Sequence, residues 1–284
     1  MGLLPKGNLL QELAYMPTYW WKMRQARPPK TPAQRYDFGS HHMQYLLYFP
    51  PLENMPRKEQ AIIYFHGGGW CFGVPSMFAS NAYFFQRQGY GVFMPCYRRV
   101  PTYNVTHIRE DLSLGLGKIM ELKDVLNLEV SSFLLGGMSA GGNLAALLAF
   151  DQALWQHTTF TKAQLAGLFL CGAPLDLAKM QWSILLHWYA GPKHQPLFQT
   201  ASPINYLHES ANFPILCLHG TSDGMVRFAS ANSFLEACTA KTQCTIQLET
   251  IHNGTHLDAG SWPYQDQPAG QVLRAWLRTI NPSS

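Results

Sequence analysis

The sequence predicts an α/β chain with a mostly parallel central sheet and helices on both of its faces. Three observations predict it. Short apolar runs, often rich in Ile, Val, Phe or Tyr, alternate with helical patterns from about residue 40 to the end. These runs are short and apolar, as strands covered on both faces should be. Of 284 residues 47% are hydrophobic and 13% charged, enough to bury one large core without internal division.

The expected strands are His42 to Phe49, Ala61 to Phe65, Gly91 to Tyr97, Ser132 to Gly136, Leu165 to Cys171, Ile215 to His219 and Thr245 to Ile251. Between them, helices are expected at Ser76 to Gln88, Thr106 to Leu122, Gly142 to Ala153, Leu177 to Tyr189, Arg227 to Ala240 and Ala269 to Ile280. The one from Gly142 is the most legible, because Asn143-Leu-Ala-Ala-Leu-Leu-Ala joins strong helix formers to small residues that pack closely on a sheet. The first stretch differs in character. Asn8 with Gln11 reads as a capping box, Pro17 reads as an interruption, and Thr18-Tyr-Trp-Trp-Lys-Met-Arg begins a second aromatic and basic piece. Residues 1–35 are thus expected to form an N-terminal arm or cap and residues 36–284 the main domain, with a candidate lid insertion near 177–199.

Composition narrows the partners. A net charge of +4, with no basic run, argues against nucleic acid. No stretch approaches the roughly 18 uninterrupted apolar residues of a membrane span, and Pro17 with Pro28-Pro29 leaves little amphipathic length for a lipid surface, so no stable membrane insertion is expected. The start lacks the pattern of a secretory leader, and Lys6 stands where a myristoylation signal has Ser or Thr, so a cytoplasmic location is the expectation. The six cysteines contain no CxxC pair and lie mostly in apolar runs, which reads as free buried thiols. No His, Cys or acidic cluster has metal-ligand spacing, so neither metal nor cofactor is implied. Self-association is left open.

The chemistry lies at the ends of the apolar runs. Gly137-Met138-Ser139-Ala140-Gly141 fits G-x-S-x-G between a strand and a helix, where glycines permit a turn sharp enough to project the Ser139 hydroxyl. Chance alone would place that pentapeptide in about one chain in ten of this length, so its setting must carry the argument. The setting includes His66-Gly67-Gly68-Gly69-Trp70 directly after the strand Ala-Ile-Ile-Tyr-Phe. Three glycines there let backbone N–H groups approach a substrate and stabilise the negative oxygen of a tetrahedral intermediate. The Walker lysine of a phosphate loop is missing. A serine nucleophile needs a base, and the base an orienting acid. Asp223 follows the run Ile215 to Leu218, and His256 follows the run Thr245 to Ile251, in that order after the turn. His252 is the second choice for the base and Asp176 for the acid. His66 reads as a brace for the glycine loop, and His41-His42 as strand surface.

Together HGGGW, GMSAGGNLAA, HGTSDGMV and NGTH resemble the hormone-sensitive-lipase-like and feruloyl-esterase-like carboxylesterases of the α/β-hydrolase superfamily, over roughly residues 40 to 280. The resemblance implies the α/β-hydrolase fold, Ser139 as nucleophile, Asp223 as acid, His256 as base, and the N–H groups of Gly67, Gly68 and Ala140 as oxyanion donors. Kynurenine formamidase is similar too, with a related glycine loop and the same order. Where the family often has Asp-Tyr-Arg-Leu-Ala-Pro, this chain reads Cys96-Tyr97-Arg98-Arg99-Val100-Pro101, a departure at a structural position.

The expected function is hydrolysis of a small-molecule ester, small to medium and apolar or aromatic, through an acyl-enzyme, with Trp182, Trp188 and Tyr189 walling the acyl pocket. Arylformamidase activity is the alternative within enzymes, and a non-catalytic ligand-binding hydrolase scaffold is the alternative outside them. Because the base must be neutral, activity is expected to fall in acid around the ordinary imidazole pKa of ~6.5.

Overall fold

The computed structural model describes residue 7 and residues 9–26 and 33–280. The strands are β1 (Gln34–Asp37), β2 (Tyr45–Phe49), β3 (Gln60–Phe65), β4 (Gly91–Pro95), β5 (Ser132–Met138), β6 (Leu165–Cys171), β7 (Ile215–Gly220) and β8 (Ile246–Ile251). The α-helices are α1 (Leu9–Gln25), α2 (Ala79–Gln86), α3 (Val105–Val125), α4 (Ala140–Phe150), α5 (Ile184–Ala190), α6 (Pro196–Thr200), α7 (Phe228–Lys241), α8 (His256–Ala259) and α9 (Gln271–Ile280). The strands make one sheet in the order β1-β2-β4-β3-β5-β6-β7-β8. β1, β2 and β4 pair antiparallel, and every pair from β4 through β3 to β8 is parallel. This is the α/β-hydrolase fold.

Alternation along the strands sorts the core into two layers. Ile63 and Phe65 of β3 face a cluster with Leu112 and Leu116 of α3, Leu144 and Leu148 of α4 and Phe234 of α7. Ile62 and Tyr64 face the opposite cluster, with Tyr19 and Met23 of α1, Phe85 of α2 and Trp276 of α9. Each large apolar side chain removed from water in this way contributes about 1.5–3 kcal/mol. The parallel arrangement brings the C-terminal ends of β3, β5, β6, β7 and β8 to one edge, where the loops after them meet.

Several elements differ from expectation. α1 runs unbroken through Pro17, which was expected to interrupt it. An internal proline costs roughly 3 kcal/mol, but Glu12, Tyr19 and Met23 on either side of it are buried against the body, and that packing outweighs the local preference. Asn8, the expected cap, lies outside the described residues, as do Pro28 and Pro29. β1 was not foreseen, and β2 starts at Tyr45, which leaves His41 and His42 in a bend before the strand, with the His41 ring against Tyr103. The long helix expected from Leu177 is a single turn, Leu177–Lys179, followed separately by α5. Ser183 caps α5 by accepting from Leu186 N at 3.1 Å, because its hydroxyl satisfies an N–H that the first turn cannot. Among the described residues no helix is long and apolar enough to cross a membrane.

Candidate active site

Ser139 stands between β5 and α4 with φ +54° and ψ −126°, a backbone conformation that non-glycine residues rarely adopt. Such strain persists only where the surroundings over-determine it. Here Ser139 N donates to Cys171 O at 2.8 Å, and Ser139 O accepts from Gly142 N and Asn143 N. Gly141 allows the close fit: a Cβ there would sit 2.0 Å from Phe65 O and 2.6 Å from His66 O, so only glycine lets α4 start against the end of β3. Ala140, as the first residue of α4, has an N–H with no partner within the helix.

The glycine loop after β3 lies beside this turn. A Cβ on Gly67 would be 3.4 Å from Ser139 Cβ. Gly68 adopts φ +122°, and its carbonyl accepts from Cys71 N and Phe72 N, closing the loop on itself. His66 braces it: Nδ1 hydrogen-bonds Gly67 O at 2.8 Å, and the ring stacks between Phe78 and Tyr97. Burial pushes the His66 pKa down to about 4, so the ring stays neutral while it holds the loop. Trp70 stacks on Tyr189 of α5 at 4.1 Å, and Tyr189 Oη donates to Asn143 Oδ1 at 2.8 Å. Tyr189 is therefore part of the buried support beneath the loop and not a wall of an acyl pocket, whereas Trp182 and Trp188 are exposed to solvent.

His256 and Asp223 come together from two loops that are stitched to each other. Ser222 N donates to Gly254 O at 2.8 Å, and Thr221 N to Ile251 O at 3.1 Å. Thr255 caps α8 through a capping box with Asp258, which places His256 at the first helical position with its ring buried. His256 Nδ1 donates to Asp223 Oδ2 at 2.8 Å, while Asp223 Oδ1 accepts from Met225 N at 2.9 Å and Val226 N at 2.7 Å. The ring passes against Gly172, where a Cβ would lie 3.0 Å from Nδ1. Gly172 directly follows Cys171, whose carbonyl holds Ser139, so the three expected residues converge on the end of β6.

Charge and burial compete at this pair. Burial acts to lower the His256 pKa, but the Asp223 charge, the hydrogen bond between them and the Glu12 charge outweigh it and set it above the usual 6.5. Burial acts to raise Asp223, and His256, His219 and the Val226 N–H together hold it below 3.8. His219 donates from Nε2 to Val226 O at 3.0 Å, and burial lowers its pKa. The second choices stand apart. His252 is exposed, and Asp176 caps Ala178 N and accepts from the Ser233 hydroxyl.

Glu12 of α1 escaped sequence reasoning. Its carboxylate is buried and accepts from His256 N at 2.6 Å and Gly224 N at 3.2 Å. A single acidic residue in a helix carries no signal of burial, so nothing in the local pattern could have singled it out.

The sequence model of the BD-FAE family matches residues 47–237. The chain belongs to the BD-FAE family. The matched span runs from β2 to the middle of α7 and holds the glycine loop, Ser139 and Asp223, while His256 and α1 fall outside it. Two relatives of this BD-FAE member are Lipase 2 from Moraxella sp. (strain TA144), 34% identical over 113 residues, and Esterase LipQ from Mycobacterium tuberculosis (strain ATCC 25618 / H37Rv), 31% identical over 132 residues. The alignments cover 37% and 42% of this chain, and the chain spans 26% and 31% of the length of those relatives. Among solved structures, Esterase B from Lactobacillus Rhamnosis (HN001) shares the fold with a TM-score of 0.74 at 17% identity, over 96% of this chain and 94% of that one.

Proposed function

We propose that this chain is a serine carboxylesterase that hydrolyses small to medium apolar or aromatic esters through an acyl-enzyme. The observation that carries the reading is the 2.8 Å bond from His256 Nδ1 to Asp223 Oδ2, on a ring packed over Gly172 next to the strained Ser139 turn. A carboxylate only accepts, so the proton is on Nδ1 and Nε2 is the lone-pair face. In this reading His256 Nε2 takes the Ser139 proton, and the alkoxide adds to the ester carbonyl. The N–H groups of Gly67, Gly68 and Ala140 stabilise the resulting oxyanion, with each donor worth about 3–4 kcal/mol in the transition state. The alcohol leaves with the proton from His256, and water repeats the cycle on the acyl-enzyme.

The esterase and lipase relatives support ester cleavage as the class of reaction. The exposed Phe72 on the glycine loop, and the exposed Trp182 and Trp188 in the segment whose Leu185 lies against Gly69, support an apolar acyl or aryl group. The test is hydrolysis of p-nitrophenyl acetate and butyrate, with covalent labelling by a fluorophosphonate. The wild-type protein turns over and is labelled, and Ser139→Ala does neither. Retained turnover in Ser139→Ala removes Ser139 from the nucleophile's role. N-formylkynurenine in the same panel tests formamide cleavage, and a preference for it over the aryl esters replaces the ester by an arylformamide as substrate.

A further inference from the structure

Glu12 lies far from the triad in sequence, on a helix outside the region matched by the family model, yet its carboxylate reaches both loops of the acid–base pair. Oε1 accepts from the backbone of His256 and from the backbone of Gly224, the residue after Asp223. Oε2 is buried with no hydrogen-bond partner among the described residues. A carboxylate is seldom buried without a cation to pair with. Among the described residues no Lys or Arg bonds to it. Its hydrogen-bond partners among the described residues are two backbone N–H groups, those of His256 and Gly224.

Among the described residues, the charged and titratable groups that act on His256 come from three elements, while Asp258 of α8 is turned to the Thr255 N–H. Asp223 arrives from the loop after β7, His219 from β7 itself, and Glu12 from α1. His219 is held neutral by burial. Glu12 is thus the second negative charge on His256, and the tie that holds its main chain to that of the Asp223 loop.

Resting on the reading of Ser139, His256 and Asp223 given above, we propose that Glu12 is a positioning residue of this site, through which α1 clamps the base loop to the acid loop and supplies negative charge to His256. The N-terminal helix then takes part in catalysis without touching substrate. Asp223 orients the ring from one end, and Glu12 fixes the backbone from which the ring projects. A ring displaced by about 1 Å would lose about a hundredfold in rate.

Two variants of the full chain separate the roles. Glu12→Gln keeps an oxygen in the place of Oε1 and removes the charge, whereas Glu12→Ala removes both. With p-nitrophenyl butyrate, Glu12→Gln is expected to melt near the wild-type temperature, to keep KM within about twofold and to move the acid limb of kcat/KM to lower pH, since lost negative charge disfavours the imidazolium. Glu12→Ala is expected to lose at least about tenfold in kcat with little change in KM, as a misplaced base would. A side chain with a purely structural role would lower the melting temperature and leave the pH profile of Glu12→Gln unmoved, and that result overturns the proposal. An NMR titration of the His256 ring in wild type and Glu12→Gln reads the same charge effect without turnover. If the wild-type protein neither cleaves esters nor labels at Ser139, the esterase reading fails. The titration then still decides Glu12, because equal His256 curves in the two proteins refute its influence.

Discussion

Asp223→Asn puts the acid–base pair to its sharpest trial, because both oxygens of the carboxylate are engaged by named donors. Oδ1 accepts from Met225 N at 2.9 Å and Val226 N at 2.7 Å, and Oδ2 accepts from His256 Nδ1 at 2.8 Å. An asparagine has one oxygen and one NH2. If the NH2 faced Met225 and Val226, donors would meet donors, so the oxygen must stay there and the NH2 must face His256. Nδ1 then has to accept, which sends its proton to Nε2, the atom that must be bare to receive the Ser139 proton. The ring is kept but in the wrong tautomer, and kcat should fall by roughly 10⁴, about 5.5 kcal/mol of transition-state stabilisation. The fold should survive with a loss of about 1–2 kcal/mol, since two backbone bonds lose their charge assistance and are not broken. The assay is the initial rate on p-nitrophenyl butyrate at pH 8 beside a thermal melt. A variant that melts near wild type and keeps kcat within about tenfold would show that Asp223 does not set the tautomer of a catalytic His256.

Two further outcomes follow from the same geometry. The acid limb of kcat/KM should lie above the ordinary imidazole value of about 6.5, because Asp223 and Glu12 hold His256 up against the effect of burial. A limb at or below that value would mean the His256 charge balance is wrong. The same shift makes the imidazolium form stabilising. That contribution is fully present below the unfolded pKa and disappears as pH rises through the raised folded pKa, so activity appears where this increment of stability fades. In Gly172→Ala, φ +53° puts a side chain into a left-handed backbone at a cost of roughly 1–2 kcal/mol. The new Cβ, 3.0 Å from His256 Nδ1 and 3.1 Å from Cε1, must push the ring by a few tenths of an ångström. Denaturant melts and steady-state kinetics should show that stability loss together with a fall in kcat of about three- to tenfold. Lost stability with unchanged kcat would mean that the ring does not press on Gly172.

Much of this was legible because it is local. The runs at β3, β5, β6 and β7 are apolar almost throughout, as strands covered on both faces should be, whereas β8 (Ile-Gln-Leu-Glu-Thr-Ile) is an edge strand of which only Ile251 is buried. Glycine signals the turns for an equally local reason, as at Gly141, where any Cβ would strike Phe65 O. Asp223 and His256 could be picked out because both follow expected strands in order, and the structure brings them within 2.8 Å while leaving His252 exposed and Asp176 as a helix cap.

The errors share a physical origin. Pro17 promised a break, but the burial of Tyr19 and Met23 outweighed one missing N–H. Tyr189 looked like a pocket wall, and its place under Trp70 depends on the path of α5, which local pattern does not encode. The sequence by itself determined the parallel sheet, the glycine loop and the Ser139 turn, since each depends on which residues a few positions of backbone can sterically accept. Only the tertiary structure decided that α1 packs against α8 and that Glu12 ties the backbone of His256 to Gly224. Those contacts span 244 and 212 positions, and they come from burying the whole chain at once rather than from any neighbour's preference.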